Sequence, residues 1–312
     1  MQTNVWIIFR IQLILMNKRI LSLIAALLAT LIFGFNHTIA KELMPDVLSP
    51  NALLYCRVVG AAVCFWFISL FVEREKVELK DFKLIFICAI FGMGLNMITS
   101  LNGLYNSTPI NSAIITTLAP IFIFLISVII LNEKITKRKY VGVFIGFCGT
   151  LTLILLNEKS ISTAPNINLG NFYFFINSIS YALYFVLIKP LTKKYNMITI
   201  MKWLFFFSIF INMPFGLVEF GKINWVEISG NSLLKVSYVV ICTTFLVYLL
   251  NLYALKNLKA STVGMFIYLQ PVIGILFAIY RGADKLTLAD IISVILVFTG
   301  VYLVSKKTSK VT

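Results

Sequence analysis

Two ionisable side chains lie inside long apolar segments of the sequence, where either could act on a small charged molecule. His37 follows Asn36 in the segment 20–40, and Arg57 lies in the segment 51–72. A histidine binds and releases a proton near neutral pH, so His37 could line a cavity and titrate there, or it could be a hydrogen-bonded structural residue. Arg57 could attract an anionic molecule, although packing between helices, or extension of its charged end to the outer surface, is the favoured interpretation.

Uncharged polar side chains recur in the other apolar segments. In lipid such groups need hydrogen-bond partners, which they find on a neighbouring helix or in a cavity. Tyr181 and Tyr184 are three residues apart and therefore share one helical face. The candidates for contact with a small molecule are Asn36, His37, Asn96, Tyr181, Tyr184, Tyr253 and Gln270. Further polar residues of the segments, some of which must join helices, are Asn102, Thr116, Asn177, Asn251 and Tyr268.

A repeated phrase contains two prolines that could act as hinges. "APIFIFLISVIILNEK" and "QPVIGILFAIYRGADK" each set a proline before an apolar run that ends in an acid and a lysine. Pro120 and Pro271 fall near the middle of their apolar segments, where a missing N–H frees the carbonyls of Thr116 and Ile267. A freed carbonyl should face a cavity or a neighbouring helix. The two interpretations are flexing hinges beside a central site and kinks that serve packing only.

The elements that carry these residues must be membrane-spanning helices. Of the 312 residues, 60% are hydrophobic and 12% are charged, and the mean hydropathy is +0.94. The apolar residues form blocks of about 20, the length that crosses a bilayer as a helix. The sequence predicts an all-α membrane protein with ten transmembrane helices at 20–40, 51–72, 84–103, 112–131, 140–156, 169–188, 200–218, 232–254, 263–281 and 288–305.

The spans fall into two repeats, 20–156 and 169–305. Laying 120–153 over 271–304 gives seven identical positions, which include the prolines, the Lys–x–Thr run and a glycine. A weaker echo relates "LIFGFNHTIAK" to "ISYALYFVLIK" at an offset of 148. Because each repeat has five spans, the second copy must enter the membrane from the opposite side, as in many secondary transporters. Within the first repeat, the glycines Gly142, Gly146 and Gly149 form a small-residue face suited to close helix contact.

The basic residues are distributed unevenly between the two sides of the membrane. Counting Lys and Arg in the loops puts nineteen on the side of both termini and six on the other side. Cytoplasmic loops carry such an excess, so both termini are predicted to be cytoplasmic in a cell inner membrane. The net charge of +15 therefore reflects orientation, and the absence of a basic stripe on a soluble face argues against nucleic-acid binding.

Several function classes lack their sequence signals. The five cysteines lie in apolar segments without a CxxC pair or a Cys/His cluster, so we expect no disulfide framework and no metal site. HExxH, GxSxG and Walker A patterns are absent, and no cofactor is implied, so we do not expect an enzyme or an ATP-driven pump. All twelve acidic residues fall in loops or at span ends, which argues against a carboxylate proton relay.

The two ends of the chain are treated separately. In residues 1–19 the apolar run is short and contains Arg10, so it does not predict a span. We interpret it as an extension before a better start at Met16, with an amphipathic segment on the membrane surface as the alternative. Residues 306–312 form a basic cytoplasmic tail.

The proline-led phrases and the two five-span repeats resemble the EamA-type members of the drug/metabolite transporter superfamily. The resemblance covers about residues 20–305, and its motifs are loose. Asp284 departs mildly from the pattern, because an acid–Lys pair more often begins with Glu. The resemblance implies a ten-helix exporter or importer of small metabolites with a central cavity, of a kind that usually works without ATP.

The function predicted from the sequence is a secondary-type transmembrane transporter of small organic metabolites, with its cavity between two inverted repeats. Export is one candidate direction, and substrate antiport, facilitated diffusion and proton coupling through His37 all stay open as energy sources. The expected partners are a small-molecule substrate and the lipid bilayer, and a homodimer stays open. The alternatives are a membrane scaffold or sensor subunit and a lipid flippase.

Overall fold

The computed structural model describes residues 2–44, 46–107, 115–133, 136–156, 165–270, 272–273 and 288–306. Among these, the side chains described exclude those of 2–17, 37–38, 150, 153–156, 289–290, 293 and 305. Every regular element in the described part is helical. The main helices are α1 (Gln2–Leu43), α2 (Pro50–Ser69), α3 (Leu79–Asn106), α4 (Leu118–Leu131), α5 (Lys137–Leu156), α6 (Ile167–Leu187), α7 (Met197–Gly221), α8 (Gly230–Asn257), α9 (Ala260–Gly264, continued by a 3₁₀ turn at Met265–Tyr268) and α10 (Leu288–Ser305).

Local sequence signals set the starts of several helices. The side chains of Ser49, Asn166, Asn196 and Ser229 precede α2, α6, α7 and α8, and each accepts a backbone N–H bond from the first turn at 3.0–3.2 Å. These bonds satisfy N–H groups that have no partner within the helix. Pro50 occupies the first position of α2, where its missing N–H costs nothing.

The described helices have the length and hydropathy of membrane spans. Six are long and apolar enough to cross a bilayer, namely Lys18–Leu43, Pro50–Ser69, Leu79–Asn106, Ile167–Lys194, Met197–Gly221 and Gly230–Asn257. Leu118–Leu131 and Val294–Val304 are shorter apolar helices. Large apolar side chains such as Phe71, Ile129 and Phe144 are exposed, as lipid-facing residues would be.

The helices pair as an inverted repeat requires. The most extensive contacts join α5 to α10 and α2 to α7, so each of these helices packs against its own counterpart in the other repeat. In addition, α3 packs against α6, and α8 packs against α1. These two contacts are equivalent, because α8 is the counterpart of α3 and α1 is the counterpart of α6. The predicted fold class, ten transmembrane helices in two inverted five-helix repeats, is confirmed.

Glycines allow α5 and α10 to touch backbone to backbone. A Cβ atom on Gly142 would lie 2.9 Å from the carbonyl oxygen of Gly300, and one on Gly300 would lie 2.6 Å from that of Gly142 and 2.7 Å from the nitrogen of Gly146. Real Cβ contacts are essentially never so short. The close helix contact predicted for the glycine face therefore exists for Gly142 and Gly146, with α10 as the partner.

Charged contacts at the helix ends join residues assigned to the same side of the membrane. Lys194 contacts Asp81 at 2.7 Å, and both belong to the side predicted to be cytoplasmic. Lys235 contacts Glu42 at 2.6 Å, and both belong to the opposite side. Each contact joins the region after the first span of one repeat to the region after the second span of the other repeat. These two regions lie on the same side of the membrane because each repeat has an odd number of spans.

The first helix is longer than the predicted span. α1 runs without interruption from Gln2 to Leu43, so the predicted N-terminal segment 1–19 continues the first span as helix from residue 2 onwards. Residues 2–17 therefore form additional helical turns before Lys18, the residue at which the apolar span begins.

Candidate functional site

The described part of the chain contains a pocket, which we call the central cavity, that is lined by side chains of both repeats. The space between its lining side chains, including the part continuous with solvent, is about 860 Å³. Its wall is formed by side chains from α1, α2, α3, α4, α6, α8 and α9, and from the segments that precede α4 and follow α9. The polar lining residues are Thr30, Arg57, Asn96, Ser100, Thr116, Asn177, Asn251 and Gln270. The aromatic lining residues are Phe33, Tyr181, Phe185 and Tyr248.

Residues at equivalent positions of the two repeats line the cavity. Residues 96, 97, 100, 116 and 119 line the cavity, and so do the residues 151 positions later, 247, 248, 251, 267 and 270. Residues 29 and 33 of α1 are likewise matched 148 positions later by Asn177 and Tyr181. The cavity therefore lies on the axis that relates the repeats. Within several pairs only one member is polar, as in Ala119 and Gln270, so the wall is chemically asymmetric.

Three of the predicted contact residues, Asn96, Tyr181 and Gln270, lie on this wall. Asn96 and Asn177 also join α3 to α6, because the Asn177 amide donates to the Asn96 carbonyl at 2.8 Å and the Asn96 amide donates back at 3.4 Å. Tyr181 lines the cavity on the next turn of α6, and Gln270 lines it two residues after the 3₁₀ turn that continues α9. The other lining amide, Asn251, was singled out by sequence only as a polar residue of its span.

The other predicted contact residues lie elsewhere. Tyr184 is 2% exposed and packs its ring against Gly92 of α3, and it is not among the cavity-lining side chains. Tyr253 does not line the described cavity either. Asn36 is buried, and its Oδ1 has no hydrogen-bond partner in the described part of the chain. The His37 side chain lies outside the described residues, although its repeat counterpart 148 positions later, Phe185, lines the cavity.

Arg57 reaches the cavity rather than the protein surface. Its side chain is 2% exposed, and its Nε donates to Thr244 Oγ1 at 3.0 Å. The low exposure contradicts the interpretation that the charged end extends to the outer surface, because an extended side chain would stay solvated. Helix packing and anion binding therefore remain as the uses of Arg57.

Two helices that line the cavity contain π-helical turns at equivalent positions. The turns span Ile90–Leu95 in α3 and Tyr238–Leu246 in α8, and the first maps onto 241–246 of the second. Such turns disturb the regular i to i−4 bonding and often occur at functional sites. The amino-acid sequence does not indicate these turns, because the repeat-related runs "IFGMGL" and "ICTTFL" contain no proline.

Side chains from three other helices bind the carbonyls of the first π-helical turn. Ser180 donates to the Phe91 carbonyl at 2.7 Å, and Tyr248 donates to the Gly92 carbonyl at 3.3 Å. The Asn212 amide donates to the Met93 carbonyl at 3.3 Å. The irregular backbone is thus satisfied from α6, α8 and α7, which satisfies the requirement for polar groups inside a membrane.

The proline segments are also irregular at equivalent places. Helical geometry is interrupted at Thr117, three residues before Pro120, so Pro120 lies in the first turn of α4, where proline is tolerated. In the second repeat the 3₁₀ turn Met265–Tyr268 ends 151 positions after Thr117. Pro271 itself lies outside the described residues. The predicted role of both prolines as hinges stays a prediction.

Glu133, the acid of the first repeated phrase, joins the end of α4 to the start of α9. After Leu131 the chain turns at Asn132, which has a left-handed φ of 49° that asparagine tolerates. The turn brings the Glu133 carboxylate to the backbone N–H of Ala260 at 2.8 Å and to the Ser261 hydroxyl at 2.7 Å.

Two lysines complete this cluster, which we call the Glu133 network. Lys189 Nζ lies 3.5 Å from the Glu133 carboxylate and donates to the Leu258 carbonyl, and Lys139 Nζ donates to the Ser261 hydroxyl at 2.9 Å. Lys139 belongs to the basic turn just before the apolar segment 140–156, and burial lowers its pKa to about 8 although the Glu133 charge opposes this shift. The network joins five helix ends, those of α4, α6 and α8 and the starts of α5 and α9, at one end of the bundle.

The lysine of the opposite repeat makes a matching contact on the other side. Lys41 lies 148 positions before Lys189 and donates to the Leu104 carbonyl near the end of α3 at 2.8 Å, as Lys189 does to Leu258 at the end of α8. Asp284, the repeat counterpart of Glu133, lies outside the described residues.

The lowered pKa of Lys139 gives a pH-dependent contribution to stability. Between about 8 and the ordinary value of 10.5, the unfolded chain binds more protons at this residue than the folded chain, so the contribution rises with pH across that window. Neighbouring charges that act on Lys139 are Glu133, Lys259, Lys189 and Arg19. Between about pH 7.5 and about pH 10, the melting temperature of Lys139→Met should rise less than that of the unchanged protein. Parallel pH profiles would contradict this expectation.

A bundle of two inverted five-helix repeats with a cavity lined by both is typical of secondary membrane transporters. The sequence matches the EamA-like transporter family over residues 20–155 and again over 168–306, so the chain belongs to that family. An uncharacterized transporter of Archaeoglobus fulgidus is 30% identical over 263 residues, which cover 83% of this chain and 90% of the relative. The uncharacterized transporter YetK of Bacillus subtilis is 22% identical, with 93% and 88% covered. A solved crystal structure superposes with a TM-score of 0.73 over 90% of this chain and 95% of its own, at 16% identity, which supports the fold.

Proposed function

We propose that this protein is a secondary-type permease that carries small organic metabolites through the central cavity by alternating access. The observation that carries the proposal is the position of the cavity on the repeat axis, where equivalent residues of both repeats line it. Sites of secondary transporters form at such interfaces, near the middle of the bilayer.

The irregular helices support alternating access. The π-helical turns of α3 and α8 and the irregular turns before Pro120 and at Met265–Tyr268 are four interruptions in helices that contribute to the cavity wall. Hinges are a few positions that absorb backbone changes when one body moves against another. The Glu133 network would hold the helix ends together on one side while the other side opens.

Flux measurements test the proposal against its alternatives. Purified protein in liposomes should exchange an internal labelled metabolite for the same external compound, after a thermal-shift screen of amino acids, nucleosides, sugars and drugs has selected candidates. A scaffold or sensor subunit would show no flux for any stabilising compound. A flippase would instead move labelled lipid between leaflets.

Tyr181 and Tyr184 offer a matched pair of substitutions. Tyr181→Phe should weaken substrate affinity several-fold, because the hydroxyl of a cavity-lining residue is removed. Tyr184→Phe should leave affinity within about twofold, because Tyr184 is buried against Gly92 away from the cavity wall. Binding isotherms of both variants check this, and loss of affinity in Tyr184→Phe alone would contradict the assignment of the wall.

We further infer from the charge bias that both termini and the loop around residue 137 face the cytoplasm. In a background without the five native cysteines, Lys137→Cys should resist a membrane-impermeant maleimide in intact cells and react after lysis. A cysteine in the opposite loop, Lys222→Cys, is the positive control. Labelling of position 137 in intact cells would overturn the orientation.

We also propose that Pro120 acts as a hinge for α4. Pro120→Ala restores a backbone N–H after the interruption at Thr117, so the helix should straighten and interconvert more slowly. The expected result is a folded protein with a lower transport rate and little change in affinity. A normal rate in this variant, in Pro271→Ala and in the double variant would reject the hinge.

A further inference from the structure

Arg57 is a buried cation in the cavity wall, and the described residues around it provide no carboxylate. Among the nine Asp and Glu side chains that the structure describes, none forms an ion pair with Arg57. Its hydrogen bond within the described part of the chain uses Nε, which donates to Thr244. The two terminal nitrogens of the guanidinium form no hydrogen bond to a described residue, and they have the geometry that binds a carboxylate through two parallel bonds.

An unpaired buried cation is costly to stability, and a helix contact could be made without it. A methionine of similar length would fill the same volume without desolvating a charge. The arginine is also placed where a ligand can reach it, because it shares the cavity with the amides of Asn251 and Gln270 and the rings of Phe33 and Tyr181. These neighbours supply hydrogen-bonding groups and apolar faces but no negative charge.

We propose that Arg57 binds the carboxylate of a small organic anion with an aromatic or aliphatic body, and that this charge defines the substrate class. The proposal rests on the proposed function, since the cavity is taken to be the transport site. Thr244, which lies in the π-helical turn of α8, holds Nε and thereby orients the guanidinium. The rings of Phe33, Tyr181 and Phe185 face the body of the anion.

Matched acids and amides test the charge requirement on the full chain in neutral detergent. The probes are 3-phenylpropionate against 3-phenylpropionamide and hexanoate against hexanamide, each titrated while the melting temperature is followed. We expect at least one acid to stabilise the protein and its amide to bind about tenfold more weakly or worse. Arg57→Gln should remove this preference, and Arg57→Lys should retain part of it. Equal binding of acids and amides, no stabilisation by any acid, or an unchanged preference in Arg57→Gln would overturn the proposal.

Stability without ligand separates binding from packing. Arg57→Met should keep or raise the melting temperature while it abolishes acid binding, because a buried unpaired charge is removed. A clear fall in the melting temperature of this variant would identify Arg57 as a packing residue. Thr244→Val should weaken acid binding with little effect on amides, which a merely structural role would not produce.

Two further measurements distinguish the possible failures. Adding phosphatidylglycerol tests a lipid headgroup as the anion, and displacement of the acid by lipid would assign the site to lipid and overturn the metabolite proposal. If a neutral compound is transported and no acid competes, the transporter stands and the anion site is wrong. If an acid binds through Arg57 but liposomes show no flux, the site stands and the proposed transport is wrong.

Discussion

Replacing Glu133 by alanine should destabilise the protein by about 3–5 kcal/mol, because it leaves buried cations without their carboxylate. The Glu133 side chain is 6% exposed, and the side chain of its partner Lys189 is 13% exposed, so water can compensate for little of the lost interaction. The backbone N–H of Ala260 and the Ser261 hydroxyl would lose their acceptor as well. The melting temperature in detergent should fall by roughly 10 °C.

Glu78→Ala is the matched control for this prediction. Glu78 contacts Lys80 at 2.7 Å, but the two side chains are 54% and 72% exposed, so water compensates for most of the lost interaction and the melting temperature should change little. Removing both buried charges in Glu133→Gln with Lys189→Met should recover part of the loss. Equal melting temperatures for Glu133→Ala and Glu78→Ala would show that the Glu133 network does not stabilise this state.

Adding one methyl group at Gly300 should force α5 and α10 apart. The new Cβ would lie 2.6 Å from the Gly142 carbonyl oxygen and 2.7 Å from the Gly146 nitrogen. Because both atoms belong to a backbone, the clash can be relieved only by moving a helix, and overpacking of this kind costs about 1–3 kcal/mol or more. Gly300→Ala should therefore lower the melting temperature, and Gly300→Val should reduce the yield of monodisperse protein.

Gly221→Ala provides the control for Gly300→Ala. A Cβ atom at Gly221 would meet no atom within 4 Å, so the same chemical change should be neutral or slightly stabilising there. Thermal unfolding and gel filtration of the two alanine variants compare the sites directly. Similar stability of both would mean that the α5–α10 contact has room that its backbone distances do not indicate.

The predicted contact residues show how much of the cavity wall can be predicted from the pattern of polar side chains. Asn96, Tyr181 and Gln270 lie on the cavity wall, whereas Tyr184 packs against Gly92 and Tyr253 lies off the wall. The sequence does not determine which side of a helix faces the cavity when polar residues occur on several sides, because the rotation of each helix is set by its neighbours. The offset of 151 between the repeats is a further signal for cavity-lining residues. Lining residues occur in pairs at this offset, such as Ala119 with Gln270 and Ser100 with Asn251.

The sequence alone determined the membrane class, the two repeats and their inversion. Hydropathy and segment length are local properties, and an odd number of spans per repeat dictates the opposite orientation without any knowledge of packing. Only the tertiary structure decided that Arg57 turns into the cavity beside Thr244, and that Glu133 caps the start of α9. It alone also revealed the π-helical turns, whose carbonyls are bound by Ser180, Tyr248 and Asn212. The partners in these contacts are 89 to 187 residues apart in the chain, and the hydrogen bonds that make each arrangement tolerable in lipid exist only after the helices have assembled.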